Sequence, residues 1–280
     1  MPYLKHSLGK TFYLKKGSGK KGVICLHGGP GGDHRLMKPL LNLATTHTVV
    51  LYDQLGGGRN PETKKSKWSV QAFVKELHAI IKYFNFDEVT LVGASWGTTL
   101  ALEYTLKYPE KVDRIVFQSP MFSAKDWQTD AKALIRKMNK KDSAILLRSF
   151  RSDLSQSADF QKSMFAYYLK HVLRNKKALE KLFKWGLSPG GLKIYQFMWG
   201  NSEFHATGTL KNYNKVSHLK KLNIPVLFIC GEYDEATPKR VRGYSMKIKN
   251  SKFKVIQGGS HVLSFEKPKE LLKAIQSFLL

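Results

Sequence analysis

At 280 residues, with 42% hydrophobic and 24% charged content, the chain has enough apolar material for a buried core, and wholesale disorder is excluded. Lys and Arg number 47 against 21 Asp and Glu, a net charge of +26; the lysines are spread in twos and threes over amphipathic segments, so a solvated basic surface is expected and no specific nucleic-acid site. No apolar run reaches about 18 residues and the start lacks a signal-peptide pattern, so the reading is a cytoplasmic protein with no membrane segment.

Taken in chain order, Tyr3 and Thr11 to Leu14 read as an antiparallel hairpin flanking a sheet. Short apolar runs then recur at Gly22 to His27, Thr48 to Tyr52, Val89 to Gly93, Arg114 to Gln118, Pro225 to Cys230 and Phe253 to Gln257. They alternate with helix-period segments, which predicts an α/β fold with a mostly parallel central sheet and helices on both faces. The clearest helix is SVQAFVKELHAIIKYF, with Ser69 as N-cap and Val70, Phe73, Val74, Leu77, Ile80, Ile81 and Phe84 on one buried face. From Phe122 to about Leu219 the strand signal stops and Lys-rich amphipathic helices take over. The chain therefore divides into a core, residues 1–121 and 220–280, and a helical cap insertion, residues 122–219. Cys25 and Cys230 each sit in an apolar strand-like run, which predicts no disulfide and no metal site.

The strand LVG runs into ASWGTTLALEY, so Gly93-Ala94-Ser95-Trp96-Gly97 matches G-x-S-x-G at a strand-to-helix turn. A tight turn there lifts the serine hydroxyl above the sheet, and small residues two before and two after let strand and helix approach. A serine hydroxyl needs a base. Of the nine histidines only His261 lies in the loop after the last predicted strand, where the chain order serine, acid, histidine puts it. Asp234 follows PVLFICGEY and is the expected acid that accepts the Nδ1 proton of His261, with Glu232 as the fallback. The run His27-Gly28-Gly29-Pro30-Gly31-Gly32 follows a strand and suits an oxyanion hole, with the backbone N–H groups of Gly29 and Trp96 as the donors. The missing G-K-[ST] ending counts against a Walker-type phosphate loop.

The motifs HGGPGGDH, YDQLGGGRN, GASWGTTLALEY, MWGNSEFHATGTL, GEYDEATP and GGSHVLSFEKP occur in the order found in the proline iminopeptidase (prolyl aminopeptidase) family of α/β-hydrolases, which the chain resembles from about Gly22 to Pro268. The resemblance implies the α/β-hydrolase fold and release of an N-terminal residue, preferably proline, from a small peptide or aminoacyl amide, without metal or organic cofactor. Carried over, it assigns the triad to Ser95, Asp234 and His261, the oxyanion donors to Gly29 and Trp96, and recognition of the free substrate amine to Glu203 and Glu235. Asn60 and Asn201 depart from the residues common at those positions, which bears on substrate range. Physically, an exopeptidase must detect a charged amine at a fixed distance from the scissile carbonyl, and carboxylates in a desolvated pocket can do so. Phe122, Trp199 and Phe204 are candidates for the apolar wall of a proline-sized pocket.

Competing readings are an amidase or esterase on the same triad and a non-catalytic basic binding protein, against which an intact triad counts. Epoxide hydrolases and dehalogenases need a carboxylate where this chain has Ser95. Oligomeric state is left open by the sequence.

Overall fold

The apolar runs assemble into one eight-stranded sheet in the order β1-β2-β4-β3-β5-β6-β7-β8. The structure is a computed structural model and describes residues 2–280. In chain order it comprises β1 (Tyr3–His6), β2 (Gly9–Lys16), β3 (Lys21–Leu26), β4 (Thr48–Tyr52), α1 (Val70–Phe84), β5 (Glu88–Ala94), α2 (Trp96–Lys107) and β6 (Arg114–Gln118). There follow α3 (Ala124–Ile135), α4 (Lys140–Arg148), α5 (Ala158–His171), α6 (Lys176–Trp185), α7 (Pro189–Met198), β7 (Val226–Gly231), α8 (Pro238–Ser245), β8 (Ser251–Ile256), α9 (Leu263–Glu266) and α10 (Pro268–Leu279). Strands β1 and β2 pair antiparallel, β2 joins β4 antiparallel, and β3 to β8 run parallel, as crossover helices require.

The central strands are buried apart from Lys21 and Arg114 at the starts of β3 and β6, which accounts for their continuous Val, Ile and Leu runs. Helix α1 begins where Ser69 accepts from the Ala72 N–H, and it buries Phe73, Val74, Leu77, Ile80 and Ile81 in the larger of the two core layers. It ends at Asn85, whose φ of 47° and αL geometry suit an asparagine cap. The second layer, on the opposite face, includes Val23, Cys25, Leu51, Val92, Ile229 and the α10 residues Leu271 and Ile275. Cys25 and Cys230 are buried and unpaired, on β3 and β7.

Register brings the loops that follow the strands to one edge. Leu26 of β3 lies opposite Gly93 of β5, Ala94 opposite Gln118 of β6, and Gln118 opposite Ile229 of β7. The chain runs from β3 to β4 on one side and then crosses to β5 on the other, so the strand order reverses at β3. Such switch points open a crevice beyond the carboxyl ends of the strands. Ser95 follows β5 and the glycine loop follows β3, on either side of that crevice.

Five helices, α3 to α7, occupy the segment between β6 and β7. Ala131, Ile135, Leu146, Phe160, Tyr167 and Phe204 form an apolar cluster of their own there. Helix α7 opens on Pro-Gly-Gly, a poor propagating sequence, but Ser188 caps it by accepting from the Gly191 N–H, and Ile194 and Met198 are buried. Among the described residues no helix is long and apolar enough to cross a membrane.

Candidate active site

Ser95 sits between β5 and α2 with φ 52° and ψ −120°, a backbone region that L-residues rarely adopt. The two flanking glycines explain how the turn closes. A Cβ on Gly93 would lie 2.4 Å from the Gly97 carbonyl oxygen, and one on Gly97 would lie 2.0 Å from that of Leu26. The Ser95 N–H donates to the Gln118 carbonyl at 3.0 Å, which ties the turn to β6.

The glycine loop comes close to this serine: a Cβ on Gly28 would lie 3.3 Å from the Ser95 Cβ. Gly29 has φ 126°, a conformation open to glycine. Gln54 joins the two halves. Its Nε2 donates to the His27 carbonyl at 2.9 Å, its Oε1 accepts from the Trp96 indole at 2.8 Å, and its own N–H donates to His27 Nε2 at 3.0 Å. The Trp96 ring is thereby fixed in the core while its backbone stands at the start of α2, where orphan N–H groups and the helix dipole favour negative charge.

The loop that carries Gln54 is itself pinned. Asp53 accepts from the His34 N–H and Nδ1, both at 2.7 Å, and from the Arg59 N–H at 2.8 Å. Asn60 donates to the Asp53 carbonyl and accepts from the Phe12 N–H, both at 2.6 Å, so the residue that departs from the family pattern holds this loop to β2. Asp33, His34 and Asp53 approach within ligating distance of one another. Their acceptor atoms are already engaged, Asp33 by Arg35 and Asp53 by the three donors named above, which is a scaffold for the loop.

On the other side of Ser95, His261 Nδ1 lies 2.8 Å from Asp234 Oδ1. Asp234 is buried and also accepts from the Ser119 hydroxyl at 2.6 Å, the Ala236 N–H at 2.9 Å and the Gly231 N–H at 3.3 Å. Ser119, which follows β6, has φ 50°, so two of the three non-glycine residues with positive φ among those described lie at this site. Glu232 instead accepts from the Gly258 N–H at 2.8 Å and takes no part in orienting the histidine. Burial alone would lower the His261 pKa, but the charge and hydrogen bond of Asp234, joined by Glu235 and Glu203, push it up to about 9.

Glu235 follows the acid directly and is buried, with Oε1 4.0 Å from His261 Nε2. No donor among the described residues meets hydrogen-bond geometry at either of its carboxylate oxygens; the Tyr167 hydroxyl stands beside the carboxyl, close enough to favour its charged form, and has no other partner. Glu203 accepts from the Tyr195 hydroxyl at 2.7 Å, and its carbonyl accepts from the indoles of Trp127 and Trp199, both at 3.0 Å. Burial holds the Glu203 carboxyl above its usual range, against the opposing pull of His261 and Tyr195. Glu235 is raised further, by burial and then by the like charge of Glu203. Two desolvated carboxyls beside one imidazole concentrate negative charge that a cation would offset.

A cavity of about 430 Å³ opens beside these groups, with Gly28, Gly29, Ser95, Gln118, Glu203, Tyr195 and His261 on its wall; Glu235 is buried and is not on that wall. Phe122, Trp199 and Phe204 do not line it, a correction to the apolar wall expected from sequence. Phe122 packs on Phe117, Phe228 and Tyr244, and Phe204 on Phe150, Phe160 and Tyr167. Trp199 stands edge-on to Trp127 and carries the Glu203 backbone. The apolar wall comes instead from Met164, Tyr168, Leu182, Phe183, Trp185 and Leu192. Gln54, Ser119, Trp127 and Tyr195 were missed by the sequence reading. Only Gln54 carried a signal, its place within YDQLGGGRN.

With neutral His261 required to accept the serine proton, kcat/KM on a neutral ester is expected to rise with pH until about 9, the value for the free protein. A pH profile with such an ester checks this, and a limb centred near 6.5 would mean that the carboxylates do not act on the imidazole.

The α/β-hydrolase fold family model matches residues 22–268. A proline iminopeptidase of Heyndrickxia coagulans is 37% identical over 261 residues, covering 92% of this chain and 90% of the relative. One of Saccharolobus solfataricus is 29% identical, covering 95% and 87%. The crystal structure of a proline iminopeptidase from Mycobacterium smegmatis superimposes with a TM-score of 0.87 at 27% identity, covering 99% of this chain and 97% of that one.

Proposed function

From the premise that the chain belongs to the proline iminopeptidase family of α/β-hydrolases, we propose that it is a serine aminopeptidase releasing an N-terminal residue, preferably proline, from small peptides. The observation that carries the reading is the pair Glu203 and Glu235 beside His261, one of them with both oxygens unpartnered. A buried carboxylate without a donor is costly, and a substrate ammonium supplies both the charge and the hydrogen bonds it lacks.

In the mechanism, the protonated secondary amine (pyrrolidinium) of an N-terminal proline sits between Glu203 and Glu235, which sets the scissile carbonyl over Ser95. His261 Nε2 takes the Ser95 proton as Oγ attacks, and Asp234 holds the ring by Nδ1 and stabilises the imidazolium. The N–H groups of Gly29 and Trp96 receive the oxyanion. His261 then protonates the leaving amine, and water enters to hydrolyse the prolyl-enzyme by the same steps, releasing proline. The helices between residues 122 and 219 act as the cap that supplies Glu203 and keeps water from the amine site.

Local carboxylates are needed for electrostatic reasons as well. A protein at +26 repels a cationic amine at long range, and the pair reverses the field where it counts. The test is cleavage of a prolyl anilide with its amine free and with it acetylated. The free substrate is expected to turn over and the acetylated one to be inert; equal rates would replace this reading with that of a general amidase or esterase.

A further inference from the structure

The cavity is larger than an N-terminal proline needs. A prolyl group has seven heavy atoms, and even at the ~30 Å³ that a water takes up in the liquid they fill only about half of the 430 Å³ available. The amine end is closed by Glu203, Tyr195 and Tyr168, and Phe183 stacks on Tyr168 at 5.5 Å, where the polar end gives way to an apolar one. Beyond it, the end of α6 and the start of α7 make a wall that reaches the glycine loop: Arg35 lies over the Trp185 ring at 5.1 Å and donates to the Gly186 carbonyl at 3.3 Å.

Resting on the aminopeptidase reading, we propose that this second half of the cavity, formed by Leu182, Phe183, Trp185, Leu187 and Leu192, receives the residue after the scissile bond and selects a bulky apolar side chain there. With the amine held at Glu203 and Glu235 and the carbonyl between Ser95 and the glycine loop, the leaving residue extends away from the carboxylates, towards α6. Phe183 and Leu192 are 44% and 46% exposed, two of only six large hydrophobic side chains so placed among the described residues. Both border this cavity, Phe183 on the lysine-rich α6 and Leu192 on α7. Apolar side chains left to water at the rim of a pocket gain burial when a ligand covers them.

The test is a dipeptide series on the full chain: Pro-Gly, Pro-Ala, Pro-Leu and Pro-Phe, with Phe-Gly as a control for the N-terminal side. Pro-Leu and Pro-Phe are expected to exceed Pro-Gly in kcat/KM by about 10- to 100-fold, the range for burying one such side chain. In the double variant Phe183→Ser/Leu192→Ser the Pro-Phe to Pro-Gly ratio is expected to fall toward one. Because both residues are already half open to water, the variant should fold, which a thermal melt would verify. Equal rates across the Pro-X series, an unchanged ratio in the variant, or a preference for Phe-Gly over Pro-Gly would overturn the pocket and leave the aminopeptidase intact. Failure to cleave any of the five would overturn the aminopeptidase reading itself.

Discussion

Ser95→Ala is expected to lower kcat on a prolyl anilide by at least about 10⁴-fold while leaving the fold in place. Removing a triad nucleophile leaves only what the oxyanion donors and binding contribute, a residual of about 10³- to 10⁴-fold over water. The hydroxyl of Ser95 is not among the hydrogen bonds that hold the turn together; the anchors are its N–H to Gln118 and its carbonyl, which accepts from the Thr98 hydroxyl at 2.6 Å. The backbone makes a companion prediction about stability. At φ 52° a Cβ is strained, so Ser95→Gly should be equally inactive and yet more stable, by about 1 kcal/mol after the extra chain entropy of glycine is counted. In a chain of this size that is a rise of about 2 °C in Tm. Retained turnover in the alanine variant would remove Ser95 from the mechanism, and a glycine variant that melts lower would remove strain from the account of the turn.

Glu235→Gln is expected to reduce kcat/KM on a free-amine substrate by about 30- to 1000-fold, which corresponds to about 2 to 4 kcal/mol, the usual result of taking one partner from a desolvated charge pair. Gln keeps the shape and removes the charge. Glu203→Gln should fall in the same range, although Tyr195 still has an oxygen to donate to and the two indoles still hold the backbone. The second readout separates recognition from structural damage. Since Glu235 and Glu203 both help raise the His261 pKa, either Gln variant should move the ascending, acid-side limb measured with a neutral ester from about 9 toward lower pH, with ester turnover at neutral pH kept or improved. The same logic applies to the bound state. An ammonium between the carboxylates cancels their field at the imidazole, so kcat, which reports the complex, should reach its plateau at lower pH than kcat/KM on the ester. If both Gln variants cleave prolyl substrates at wild-type rates, the amine is held elsewhere; if only the ester profile fails to move, the carboxylates bind without tuning the base.

Parts of this arrangement depend on short-range rules and were legible in the residues alone. Val, Ile and Leu runs mark strands buried on both faces. The period of α1 and its Ser69 cap follow from helix geometry, and the pentapeptide at Ser95 has a steric reason that the Gly93 and Gly97 contacts make explicit. Asp234 and His261 could be picked out because each follows a strand, so that chain order stands in for position. What lay beyond that reach depends on partners distant in sequence. Ser119 reaches Asp234 across 115 positions, Gln54 reaches Trp96 across 42, and Trp127 reaches the Glu203 carbonyl across 76, and no local pattern encodes such pairings. The pocket wall was misread for the same reason. Phe122, Trp199 and Phe204 lie beside motif residues in the chain, but nearness in sequence does not tell which way a ring turns, and all three are buried among other aromatic side chains. Leu182, Phe183 and Leu192 lie on α6 and α7, inside the stretch that the sequence marks only as amphipathic. Hydrophobic periodicity reports only that an apolar face must be covered; whether a neighbouring helix, the sheet or a substrate covers it is decided by how the helices after β6 pack above the strand ends.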